Sequence, residues 1–269
     1  DFRLRVEIAA RAGFTAMGFW HTDIVEIRRN YSFRDMRDIL HGNGVTDVEV
    51  EWLLDWYCTG ERRKASDQTR HMLLEAAETL GARHIKVADL GNDCADLTQM
   101  TEEFGKLCRQ AAERGTRILF EMLPSAFSHL PSLDQVLSLC RGCGEKNAGI
   151  LLDNLHVQRI GTPLKDFQKI GREMPLGIEI NDGMLATPVN FQDSVVNKRL
   201  LPGDGEFDIT AFLHAIWSLG YHGLIGVEVL NEYIRKWPPE LAANEAFAKA
   251  HRVVEQARQS WEAIQPARR

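Results

Sequence analysis

One short pattern recurs along the chain and limits its fold more than any other feature. An amphipathic helix runs into a glycine, and a short apolar strand follows within a few residues. The instances are "RAGFTAMGFW", "GNGVTDVEVEW", "LGARHIKVADL", "RGTRILFEML", "KNAGILLDN", "MPLGIEIND" and "GYHGLIGVEVL". Glycine takes the left-handed position that closes a helix. The strands are rich in Val, Ile and Leu on both faces, as parallel strands covered on both sides are. Between them, apolar residues recur at spacings of three and four over residues 65–80, 99–114, 132–141 and 208–218. These stretches predict helices, with Ser132 and Asp208 as N-caps. A long Ala-rich helix is expected over residues 239–262.

Strands that alternate with helices predict a parallel sheet with right-handed crossovers. Seven strands are visible, and the chain opens on a helix, "FRLRVEIAARAG", with no strand before it. An eight-fold barrel needs one more strand at that place. The expected fold is therefore α/β, a (β/α)8 TIM barrel whose first strand precedes residue 1. A doubly wound open sheet is the runner-up, but its glycine-rich phosphate fingerprint is absent. No stretch reads as an interdomain linker, so residues 1–269 are expected to form a single TIM-barrel domain.

Composition excludes several function classes. A chain of 269 residues, 44% hydrophobic and 26% charged, has the make-up of an ordinary globular protein with a large core. A net charge of −6 offers no footprint for nucleic acid. No apolar run approaches the roughly 20 residues needed to cross a membrane. The five cysteines, Cys58, Cys94, Cys108, Cys140 and Cys143, are scattered and odd in number. They argue for a reducing compartment, so a cytoplasmic location is expected. Cys140 and Cys143 form a lone C-x-x-C, read here as two thiols near a helix end.

The strand ends carry the chemistry. "RILFE" finishes on Glu121, "GILLD" on Asp153, "LGIEIND" carries Glu179 and Asp182, and "LIGVE" carries Glu228. In a barrel, the C-terminal strand ends share one mouth, where active sites are built. Unpaired carboxylates gathered there repel one another and are expensive to desolvate. A divalent cation removes that cost, and oxygen-only ligands favour Mg²⁺ or Mn²⁺ over Zn²⁺ or Co²⁺. A single acid at a strand end is more often a helix cap or an ion-pair partner; the recurrence is what points to a metal. His156, three residues past Asp153, can orient such a shell, bind a substrate hydroxyl or move a proton. Arg159 can bind a polyhydroxy or anionic substrate, or pair with a surface acid.

Long connections are expected at residues 20–32 and 183–207, both after strands. The second closes with "KRLLPGDGEFDI", whose Gly-Asp-Gly makes a tight turn. Lys198 and Arg199 just before it form a candidate anion clamp. Trp20, beside His21 at the end of the first visible strand, is a candidate wall for the apolar face of a sugar. Lys86, mid-strand in "HIKVADL", either faces the mouth or pairs with an acid in the core. Glu49 and Glu51 share one face of their strand and raise the same question.

These residues make the chain resemble the xylose isomerase-like superfamily of TIM barrels, which includes sugar isomerases and epimerases, inosose dehydratases, 3-dehydroshikimate dehydratases and endonuclease-IV-type enzymes. The resemblance runs from "AARAGFTAMGFW" to "GVEVLNE", and its most specific blocks are "LFEMLP", "LLDNLHVQRIGTP", "IEIND", "RLLPGDGEFDI" and "GYHGLIGVEVL". It implies a metal held by Glu121, Asp153, Glu179 and Glu228. The family keeps His, sometimes Gln, at the third of these positions, so Glu179 makes the shell more anionic. The resemblance further implies metal-dependent proton transfer beside a carbonyl, with Glu121 and Glu228 as the two acid–base groups. In dehydratase relatives the base corresponds to His156. The expected function is a metal-dependent isomerase or epimerase of a sugar, sugar phosphate or related polyhydroxy ketone. The alternatives are a lyase of the inosose or 3-dehydroshikimate dehydratase type, and a non-catalytic barrel that binds a polyhydroxy ligand. Expected substrate contacts are Arg159, Trp20, Lys86, Asp182 and Arg199. A three-metal endonuclease is disfavoured because the matching histidines are missing. The expected partner is a small sugar or polyhydroxy ketone, with no nucleic acid and no membrane; a homo-oligomer is left open.

Overall fold

The computed structural model describes residues 1–91, 96–186 and 188–264. Two compact units result: Asp1–Leu152 with Glu173–Gly177, and Asp153–Arg172 with Ile178–Arg269.

The first unit alternates helices and strands in the expected order. Its elements are α1 (Phe2–Ala12), β1 (Ala16–Trp20), α2 (His21–Ile27), α3 (Phe33–Gly42), β2 (Asp47–Leu53), α4 (Gly60–Leu80), β3 (His84–Val87), α5 (Leu97–Glu113), β4 (Arg117–Glu121), α6 (Leu133–Gly142) and β5 (Ala148–Asp153). Neighbours β1 to β5 pair in parallel, each with the next. Helix α1 closes on Gly13 at φ 114°, a left-handed position that a side chain would strain. Strands β3 and β5 are buried along their whole length, so their apolar runs face packed layers on both sides. Trp56 anchors the core, its ring 5.5 Å from that of Phe104 and 6.4 Å from that of Phe120. Its indole N–H donates to the Ala88 carbonyl at 3.1 Å, so the buried ring leaves no stranded donor. Gly149 in β5 meets the Pro175 carbonyl so closely that any Cβ would collide with it.

The second unit contains α7 (Asn154–Ile160), most of β6 (Leu176–Ile180), α8 (Phe191–Asn197), α9 (Ile209–Ser218), β7 (Ile225–Val227) and α10 (Pro239–Ile264). Strands β6 and β7 run parallel, with Glu179 opposite Gly226. Helix α9 packs along α10, where His214 Nε2 donates to the Ala257 carbonyl, 2.9 Å away. No described helix is long and apolar enough to cross a membrane.

The expected helices are found, and Ser132 and Asp208 cap α6 and α9 as expected, taking the amides of Gln135 and Ala211. Four helices exceed the sequence reading. Helix α3 starts at a capping box in which Ser32 and Asp35 exchange side-chain and backbone hydrogen bonds. Helices α2, α7 and α8 have seven residues each, too few for a periodicity to declare itself. The long connections at 20–32 and 183–207 thus carry α2 and α8 instead of open loop. Cys94 lies outside the described residues, and the other four cysteines are free thiols.

Candidate functional site

In the second unit three of the acids, Asp153, Glu179 and Glu228, lie in one cluster. Asp153 ends β5 with no exposed surface, and its Oδ1 accepts from the amide of Leu155 at 2.7 Å. It is therefore the N-cap of α7, a role the sequence reading ranked behind that of ligand. The same oxygen accepts from the Asn181 side chain at 2.9 Å. Asn154 and Asn181 join the start of α7 to the end of β6 by two reciprocal bonds of 2.9 Å each. Asp153, Glu179 and Glu228 each bring an oxygen within 4.8 Å of the others, and His156 brings a ring nitrogen equally near Asp153. Glu179 owes its room to Gly226: a Cβ there would lie 2.9 Å from the Glu179 Cγ.

Arg199 ties the cluster together. Its Nη1 donates to Asp153 Oδ2 and to Glu228 Oε2, both at 2.6 Å. Its Nε donates to the Val195 carbonyl at 2.7 Å, and its own carbonyl accepts from Asn231 at 2.8 Å. The guanidinium is held at both ends and buried at 2% exposure. Lys198, its expected partner in an anion clamp, points elsewhere and pairs with Glu232.

Two expected substrate contacts are committed to the loop after β6. Asp182 accepts from the amides of Gly183, Gly203 and Phe207 at 2.8, 2.9 and 3.0 Å. Arg159 donates to the carbonyl of Met184 at 2.8 Å, and its guanidinium carbon lies 5.5 Å from the centre of the Phe207 ring. Both groups shape the loop; a charge at a strand end serves backbone amides as readily as substrate.

The first unit holds the remaining candidates. Glu121 is buried at the end of β4. Lys86 pairs with Glu51 at 2.6 Å, with both side chains buried. That is the core-pairing alternative for Lys86. Glu49 pairs with His84 at 2.9 Å, and Gly18 leaves room for it, since a Cβ there would lie 2.8 Å from Glu49 Oε1. Trp20 is 39% exposed and tilted against Trp52, ring centres 5.9 Å apart. Sequence reasoning missed Asp89, which follows β3. It accepts from the Tyr57 hydroxyl at 2.5 Å, the His129 amide at 2.7 Å, the Gly91 amide at 2.9 Å and the Ser128 hydroxyl at 3.0 Å. Burial works against its charge, but these four donors outweigh it and hold the carboxyl below its usual range. The same burial, with the carboxylate beside it, pushes the Tyr57 phenol well up. The roles of Asn154, Asn181 and Asn231 also went unread; for the first two the signal was an Asn directly after the strand.

Residues 6–253 match the model of the xylose isomerase-like TIM barrel family. The chain belongs to that family. Seven parallel strands with intervening helices are thus the family's α/β fold, as the sequence predicted. Among curated relatives, the 3-dehydroshikimate dehydratase of Pseudomonas aeruginosa is 24% identical over 87% of this chain, which spans only 37% of that protein. The inosose isomerase of Bacillus velezensis is 22% identical over 87% of this chain and 86% of its own length. A solved structure of the IOLI protein with a bound zinc atom superposes with a TM-score of 0.85, at 18% identity over 94% of this chain and 93% of that one. The curated relatives of the chain are enzymes, among them an isomerase and a dehydratase.

The donor chemistry of the second unit fits a divalent cation. Asp153 and Glu228 share one guanidinium, and Glu179 brings a third carboxylate oxygen within 4.8 Å of theirs, so the acids outnumber the base. Asn181 Oδ1 is a buried oxygen with no hydrogen-bond partner among the described residues. An all-oxygen set of this kind suits a hard cation.

Proposed function

We propose that the chain is a divalent-metal-dependent enzyme that moves a proton at a carbon beside a carbonyl, acting as an isomerase or epimerase of a sugar or related polyhydroxy ketone. The observation that carries this reading is the cluster of Asp153, Glu179 and Glu228, in which Arg199 bridges Asp153 and Glu228. Asp153, Glu179 and Glu228 would hold the ion, and Glu121 is assigned as the fourth ligand on the family pattern. Mn²⁺ or Mg²⁺ suits the oxygens, and the zinc of the IOLI protein adds Zn²⁺ to the ions to be tried. When bound, such an ion supplies Lewis-acid polarisation of a carbonyl.

The chain's own groups supply the rest. Glu121 and Glu228 are the proposed acid–base pair: one carboxylate takes the proton from carbon, and the other returns one to the enediolate on the opposite face. Arg199 fixes the carboxylate of Glu228 by its 2.6 Å bond, so the base needs no reorientation during the reaction. The Asp153 cap and the Asn154–Asn181 pair fix the strand ends that carry the ligands. Trp20, exposed beside Trp52, offers a flat apolar surface to a sugar ring. Four described cysteines are free thiols, which suits the cytoplasm as the place of action.

A lyase of the 3-dehydroshikimate type is the second reading. His156, buried within 4.8 Å of Asp153, favours it, because an imidazole there can act as the base before a β-hydroxyl leaves. The Glu121→Gln and Glu228→Gln variants test the first reading. Both should fold normally and lose turnover by at least about a hundredfold, the usual contribution of a general acid–base group. Near-full activity in either variant refutes the two-carboxylate mechanism.

A further inference from the structure

The C-x-x-C of the sequence plays no part in the reading above, yet the structure gives one of its thiols a partner on another helix. Cys143 caps the C-terminus of α6, half-exposed, with its thiol 3.1 Å from the Cys140 carbonyl. Helix α5 passes directly beside it. A Cβ on Gly105 would lie 3.5 Å from the Cys143 Cβ and 3.3 Å from the Cys143 carbonyl oxygen. One turn further along α5 comes Cys108, fully buried. The side chain of Asn147 donates to the Cys108 carbonyl at 2.7 Å and pins that part of the helix to the segment after α6.

The two thiols are electrically unlike. The hydrogen bond from Cys108 lowers Cys143 to about 7 against the opposing effect of burial, and the Glu145 amide assists. The bond to Cys143, together with burial, pushes Cys108 far up. Burial also pushes up Cys140, which donates to the Gly149 carbonyl at 3.3 Å and is thereby occupied.

We propose that Cys143 and Cys108 form a peroxide-responsive thiol pair, in which Cys143 is the attacking sulfur and Cys108 the resolving one. The Cys143 thiolate attacks one oxygen of a hydroperoxide. The O–O bond breaks, Cys143 becomes a sulfenic acid, and hydroxide or alkoxide leaves with a proton from solvent. The Cys108 sulfur then attacks the sulfenic sulfur, its proton leaves with the hydroxyl as water, and an S–S bond joins α5 to the end of α6. With hydrogen peroxide the sum is two thiols and one peroxide giving one disulfide and two waters. The Cys143 sulfur is half-exposed and ionises more readily than an ordinary thiol, and the resolving thiol lies on the adjoining helix one turn from the point of closest approach, so overoxidation has a close competitor.

The full chain, treated with hydrogen peroxide, then denatured, alkylated and digested without reduction, tests this by mass mapping. The expected product is a peptide pair linking Cys108 to Cys143, with Cys58 and Cys140 alkylated. In Cys108→Ser, Cys143 should instead be trapped by dimedone as the sulfenic acid; in Cys143→Ser, Cys108 should stay reduced at the same peroxide dose. Recovery of Cys108 as a free thiol while Cys143 is oxidised in the native chain would overturn the proposal. So would a disulfide from Cys143 to Cys94 or any other cysteine, or failure of Cys143 to react before Cys58 and Cys140.

Discussion

Replacing Arg199 by Met removes the one guanidinium that the structure sets between Asp153 and Glu228. Two charge pairs about 4 Å apart, at an effective dielectric of about 20, each contribute roughly 4 kcal/mol of attraction. Desolvation of the three charges offsets part of that. What the substitution exposes is the uncompensated remainder, because Asp153 and Glu228 stay in place, and breaking a buried pair from one side costs about 3–5 kcal/mol. A domain's whole stability is on the order of 5–15 kcal/mol, so the loss is large enough to read directly. Urea unfolding of metal-free protein should show the midpoint falling steeply in Arg199→Met and by less in Arg199→Lys, which keeps the charge and loses the fork. A divalent ion at about a hundred times its Kd should return about 2.7 kcal/mol to the Met variant. Coincident unfolding curves for wild type and Arg199→Met would refute the reasoning, since they would mean the acids are not held as charged groups by this arginine.

Two further outcomes follow from the same structure. Asp89→Asn should lower stability at pH 7, as four donors lose their anionic acceptor. Because the Asp89 carboxyl is held below its usual range, its contribution is complete above about pH 4, the ordinary carboxylate value, and fades as pH falls through its lowered one. The gap between variant and wild type should therefore close in acid, and a gap that widens there contradicts the assignment. Glu179→His places an imidazole among the proposed ligands and should shift relative affinity from Mn²⁺ or Mg²⁺ towards Zn²⁺ in competition titrations. An unchanged order of affinities would remove Glu179 from the ligand set.

Much of the fold was legible because helix and strand periods differ and because each strand announces itself with a preceding glycine. Where the periodic signal is too short the sequence is mute, as in α2, α7 and α8. Helix α3 was readable in principle from Ser32 and Asp35, since Ser-x-x-Asp before an apolar run is a capping signature. The acids at the strand ends were legible as a set because they share one structural position. Their separate duties were not. Asp153 is both cap and cluster member, and Asp182 serves the adjacent amide of Gly183 together with those of Gly203 and Phe207, which the chain reaches only some twenty residues later. Arg159 and Arg199 look alike in sequence, yet one holds loop carbonyls and the other bridges two carboxylates. Lys86 drew notice in "HIKVADL", while Asp89, three residues on, collects the denser set of hydrogen bonds. Distance in the chain hides such partners, and only the fold supplies them.

The central claim is proton abstraction beside a carbonyl, dependent on a divalent ion. It is tested most directly by incubating metal-loaded and chelator-treated protein in deuterated water with a ketose, an inosose and 3-dehydroshikimate, and reading the recovered compounds by mass spectrometry and NMR. The account predicts deuterium bonded to the carbon next to the carbonyl in one of them, present with metal, absent without it, and lost in Glu228→Gln. Turnover of any of the three with no deuterium entering carbon, or at equal rate with and without metal, would contradict it.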